Sequence, residues 1–176
     1  MFKVGEQVAH YKEGVCEVVN IGKLDIRCSD RKKEYYTLRP VYDEGGTLYV
    51  PVESEKKQLR RILSNEEASR LIEEMPNIGT LDVGEEKRRE GVYKDALFQN
   101  QCRAWVSLIK TSYLRNRERI LVGKKVINVD DRYLNSAERF LYGELAVALG
   151  MPKEKVREYI SEKIMNSEKE QPGKEQ

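Results

Sequence analysis

The sequence predicts an α+β chain, with a small N-terminal β-barrel followed by a C-terminal all-α helical domain. Two observations carry this expectation. Short runs rich in Val, Ile, Tyr and Thr, punctuated by glycine turns, fill the first 63 residues. From Ser64 onward, apolar residues recur every three or four positions, the period of a helix face. The change of period divides the chain into a barrel over 1–63, a capping helix and linker over 64–84, a basic helical domain over 85–165 and a polar, disordered tail over 166–176.

The elements follow in order. Val4 and Val8 flank a first short strand, and Lys12-Glu13-Gly14 is a turn in which glycine supplies backbone freedom. Val15 to Ile21 reads as a second strand, Glu34 to Leu38 as a third and Thr47 to Val50 as a fourth, with Pro51 marking an edge. Leu59 to Leu63 is the fifth. A chain this short cannot cover two large sheet faces, so five short strands suggest a closed or nearly closed barrel. Ser64-Asn65-Glu66-Glu67 matches a capping box, and the helix it opens should stop near Met75, before Pro76 and Gly79. After Gly84 the chain reads as helix nearly to its end. Gly123 to Asp131 is a connection, with Asp130 or Asp131 as the next N-cap. Leu134, Ala137, Leu141, Leu145 and Ala148 form one apolar stripe, Gly150 closes that helix, and Pro152 sits in the first turn of the last. Trp105 shares an apolar face with Leu108 and Ile109 and is expected in the core.

Composition excludes several classes. No apolar run approaches the roughly 20 residues of a membrane span, and the first residues lack a secretory signal. A cytoplasmic protein with no membrane partner is therefore expected. Cys16, Cys28 and Cys102 lack metal-pair spacing and are read as reduced, partly buried thiols. His10 is the only histidine and has no nearby ligand partner, so its expected role is structural or solvent-facing. No phosphate loop, metal motif or paired nucleophile and base is present, so neither an enzyme nor a cofactor is expected. Net charge is only +2, but residues 86–125 hold eleven cations against four anions. Such asymmetry suggests a face that meets a polyanion.

The two halves together resemble the CarD/CdnL family of bacterial transcription regulators, and the first half also resembles the polymerase-interacting domain of transcription-repair coupling factor. The resemblance is carried by Phe2-Lys3-Val4-Gly5-Glu6-Gln7-Val8, His10-Tyr11-Lys12-Glu13-Gly14-Val15, Glu34-Tyr35-Tyr36-Thr37-Leu38 and Leu48-Tyr49-Val50-Pro51-Val52. In the second half it rests on Tyr93-Lys94 with Leu97, and on the run from Tyr133 to Ala146. It implies a Tudor-like or SH3-like barrel that binds the β subunit of RNA polymerase by strand addition, with Lys23, Arg27, Tyr49 and Val50 as candidate contacts. It also implies a helical domain at the upstream edge of the promoter bubble, holding the DNA open without chemistry. Arg88, Arg89, Lys94, Arg115 and Arg132 are the candidate DNA contacts.

Two positions depart from the family pattern. Better-known members place a wedging tryptophan four residues before the Tyr-Lys pair, where this chain has Arg89. Some relatives have an arginine where this chain has Tyr49. Arginine is held by a narrow minor groove but does not unstack a base step as an indole does. Two other functions stand beside this reading: a polymerase-bound adaptor whose helices meet a protein, and an RNA-binding barrel using Tyr11, Tyr35, Tyr36 and Tyr49. The free protein is expected as a monomer or as a weak or domain-swapped dimer paired through a sheet edge.

Overall fold

The computed structural model describes residues 1–26, 29–43 and 46–170. The chain divides into two compact units, Met1–Ile62 and Leu63–Gln176.

The first unit is one antiparallel five-stranded sheet curled into a half-barrel, with order β4-β3-β2-β1-β5. Its strands are β1 (Gln7–His10), β2 (Gly14–Gly22), β3 (Tyr35–Pro40), β4 (Leu48–Pro51) and β5 (Leu59–Arg61). Each expected strand is present within a few residues of its expected bounds. A 3-10 turn at Val52–Ser54 and the single-turn α1 (Glu55–Gln58) join β4 to β5, a connection that the apolar pattern does not reveal. Gly14 (φ 73°) makes the tight β1–β2 turn. Side chains of Val8, Cys16, Val18, Tyr36, Leu38, Val50 and Leu59 fill the concave face. The Tyr36 hydroxyl donates to the Glu55 carboxylate and accepts the Phe2 N–H at 3.1 Å, tying both α1 and the N-terminus to β3. Burial pushes the Cys16 thiol up to about 12, with Glu13 and Asp43 adding to the effect, which keeps it protonated and unreactive. Cys28 lies outside the described residues.

His10 is buried and structural. Its Nδ1 accepts the N–H groups of Glu13 at 3.2 Å and Lys12 at 3.4 Å, closing the β1–β2 turn. Burial lowers its pKa from 6.5 to about 4; a hydrogen bond with Gln58 opposes that shift and Lys12 reinforces it. A neutral folded imidazole binds protons less readily than the unfolded one. Its contribution to stability is therefore complete above about pH 6.5 and falls as pH drops toward 4. Because the chain has one histidine, an NMR titration follows it without ambiguity. A folded-state midpoint near 6.5 would contradict this assignment.

The second unit is helical. The Ser64 hydroxyl accepts the Glu67 N–H at 3.2 Å while the Glu67 carboxylate accepts the Ser64 N–H at 2.8 Å, the expected capping box. It starts α2 (Asn65–Glu74), which ends in a 3-10 turn at Met75–Asn77. The fully buried Glu144 accepts the Leu63 N–H at 3.0 Å, which pins the start of this unit to its central helix.

Then come α3 (Arg89–Phe98), α4 (Cys102–Leu121), α5 (Asn128–Leu149) and α6 (Lys153–Glu170). The uninterrupted helical periodicity hides the break between α3 and α4. Asn100 makes it by adopting φ 55°, a left-handed conformation that asparagine tolerates better than most residues. Gly150 ends α5 in the same region (φ 65°). Three expectations are corrected here. The N-cap of α5 is Ile127, and Asp130 and Asp131 lie inside its first turn instead of capping it. Pro152 directly precedes α6, and that helix runs on past Asn166 into the stretch assigned to a disordered tail, where its Glu and Lys residues favour helix.

Trp105 occupies the core as expected. It is fully buried, donates Nε1–H to the Leu97 carbonyl at 2.9 Å and packs on Phe140 at 5.5 Å between ring centroids. Leu108, Ala137, Leu141, Leu145 and Val156 surround it in the same cluster. No helix among the described residues is long and apolar enough to cross a membrane.

Candidate functional site

Among the described residues, the strand order leaves β4 with one neighbour, β3. In an antiparallel pair, a residue turns both backbone groups toward its partner or both away, alternating along the strand. Val52 donates its N–H to the Glu34 carbonyl at 3.0 Å, and the register continues through Tyr36↔Val50 and Leu38↔Leu48. Leu48, Val50 and Val52 therefore spend their backbone groups on β3. Tyr49 and Pro51 direct theirs to the open edge, and proline offers a carbonyl alone. Tyr49 supplies the edge N–H, and its side chain is 42% exposed. Val50, expected as a contact, points the other way: its side chain is 1% exposed and belongs to the barrel core. Lys23 is exposed just beyond β2, and Arg27 lies outside the described residues.

The basic stretch of the second unit resolves into two populations. Five of its cations are engaged within the unit. Arg103 pairs with Glu74, and Arg119 donates to the Lys125 carbonyl. Lys110 donates to the carbonyls of Met75, Pro76 and Ile78, closing the C-terminal end of α2 and its 3-10 turn. Burial lowers its pKa.

Arg89 and Arg115, both expected at DNA, join a polar cluster where α3, α4 and α5 meet. Their Nε atoms lie 3.3 and 3.7 Å from Oδ1 of Asp130, which is fully buried. Their terminal nitrogens pair with Glu86. The Arg89 side chain is only 9% exposed, so its guanidinium is withdrawn from the surface that a wedge residue would need. Burial, with the Asp130 carboxylate beside it, pushes the nearby Tyr93 phenol up to about 12.

The remaining basic side chains Lys87, Arg88, Lys94, Arg117, Lys124 and Lys125 are exposed. Arg132 is also exposed, pairing with Glu90 at 2.5 Å and lying 5.1 Å from the Tyr133 ring centroid. Of the five expected DNA contacts, Arg88, Lys94 and Arg132 thus reach solvent, whereas Arg89 is internal and Arg115 half-buried. Lys124 and Lys125, counted in the basic stretch but not among the candidate contacts, follow the exposed apolar residues Ile120, Leu121 and Val122 at the end of α4. Three consecutive apolar residues beside paired lysines, outside any helical stripe, are the signal that marks this tip.

Residues 2–63 match the family described as the CarD-like/TRCF RID domain, a family of RNA polymerase-interacting domains. The match spans nearly all of the first unit and stops where the helical unit begins. No curated protein matches the chain.

Proposed function

From a first unit similar to RNA polymerase-interacting domains, we propose that this chain is a cytoplasmic transcription regulator. It binds the polymerase β subunit through the β4 edge and promoter DNA, near the upstream end of the bubble, through the helical unit. The observation that carries the reading is the family match over 2–63, falling on a unit that has an open strand edge. Strand addition suits that edge: main-chain hydrogen bonds give affinity and flanking side chains such as Tyr49 and Lys23 give choice of partner.

Arg88 and Lys94 are the favoured phosphate contacts, because both are exposed on and beside α3. The protein then shifts the balance between closed and open promoter by binding the open form better. A difference of about 1.4 kcal/mol shifts that balance tenfold. With Arg89 internal, stabilisation rests on phosphate contacts and not on a wedge at that position. The adaptor alternative draws on one observation, the apolar tip Ile120-Leu121-Val122, which a protein partner would cover.

Binding to purified RNA polymerase, with and without an opened promoter fragment and at two salt concentrations, tests both readings. The expected result is polymerase binding that strengthens several-fold on open DNA. The gain should shrink at higher salt and in the Arg88→Ala/Lys94→Ala variant. Binding without a DNA gain favours the adaptor, and no polymerase binding overturns the proposal.

A further inference from the structure

Two arginine forks converge on one exposed carboxylate. Arg115 Nη2 donates to Glu86 Oε1 at 2.9 Å and Oε2 at 2.8 Å, and Arg89 Nη1 donates to the same Oε1. Behind them, Asp130 faces both Nε atoms from a fully buried position. The side-chain exposures are graded: 0% for Asp130, 9% for Arg89, 30% for Arg115 and 61% for Glu86. The cations and their inner anion are fixed on three packed helices. The outer anion rides on a three-residue 3-10 turn, Glu86–Arg88, that buries no side chain.

We propose that Arg89 and Arg115 form a phosphate-binding clamp that Glu86 occupies when no ligand is bound, so that binding exchanges the Glu86 carboxylate for a phosphate group. Carboxylate and phosphate present similar oxygen spacings to a guanidinium fork, and arginine suits both. With Glu86 in place the four groups sum to zero charge. When its side chain turns away, the pocket is left with one net positive charge, and Lys87 and Arg88 on the same turn add to the attraction. The forks lie on packed helices beside the Asp130 carboxylate, so little reordering accompanies binding. Glu86 is an intramolecular competitor at high effective concentration. It keeps weak anions out and sets the affinity threshold for the ligand. Asp130 alone already gives both cations a buried anion. Here the anion that meets both fork ends is the most exposed member.

The proposal rests on the nucleic-acid reading only for where the phosphate comes from, a DNA backbone or free phosphate. The test titrates full-length wild-type, Glu86→Gln and Glu85→Gln proteins with inorganic phosphate and, separately, with a short DNA duplex. Nitrogen-15 NMR follows the arginine Nε–H signals. Glu85→Gln removes the same charge one residue away and controls for general electrostatics. Glu86→Gln should bind at least one probe about tenfold more tightly, with Glu85→Gln changed less than about twofold. The Arg89 and Arg115 signals should shift saturably.

A gain with the duplex alone assigns the clamp to backbone phosphate. A gain with inorganic phosphate alone assigns it to free phosphate and separates the clamp from DNA binding. Equal behaviour of the two variants on both probes, or unmoved Arg89 and Arg115 signals, overturns the proposal.

Discussion

Replacing Asp130 with alanine should lower the stability of the helical unit by about 3 kcal/mol, near the bottom of the range for breaking a buried ion pair. The carboxylate is fully buried and faces two guanidiniums, one of them 9% exposed. Its removal leaves both cations with Glu86 alone, and that carboxylate is 61% exposed and screened by water. The surviving Glu86 contact is why the loss is placed at the lower end. Urea unfolding followed by tryptophan fluorescence reads the right unit, because Trp105 is the only tryptophan and sits in the helical core. A loss below about 1 kcal/mol would mean that relaxation or hydration compensates the cations. The cluster would then contribute little to the fold.

Tyr49→Pro should weaken polymerase binding by ten- to a hundredfold while leaving the half-barrel folded. The alternation along β4 turns the Tyr49 N–H to the open edge, so the β3–β4 ladder does not use it. Proline at an edge position is tolerated for that reason. An added strand, however, would meet its carbonyl with no donor, a loss of about 1–3 kcal/mol. Tyr49→Ala separates the two contributions, since it deletes the ring and keeps the N–H. If Tyr49→Pro binds polymerase as wild type does, strand addition at β4 is wrong even if polymerase binding stands. Val50→Ala would not serve as a contact test, because it opens a space in the barrel core.

Local chemistry explains which features were legible beforehand. The strands announced themselves through β-branched and aromatic runs between turns, and the capping box through Ser64 and Glu67 spaced three apart. Trp105 was readable as core because its neighbours Leu108 and Ile109 repeat at helical spacing. The Asn100 break was not readable, since the apolar period continues across it and only a backbone dihedral records it. The candidate DNA residues split for a related reason. A basic composition identifies cations but says nothing of which ones find anions. Arg89 and Lys94 look equivalent in sequence, yet the first is internal and the second exposed.

By itself, then, the sequence determined the two-part architecture, the approximate strand and helix positions and the resemblance of the first 63 residues, because each depends on residues near one another in the chain. The tertiary structure alone decided that Val50 faces inward while the Tyr49 backbone faces out, since that phase is set by pairing with β3. It also decided that Arg89 and Arg115 share Asp130 and Glu86. Those four residues span 45 positions, from 86 to 130, and only the packing of α3, α4 and α5 brings their charges within ion-pair distance.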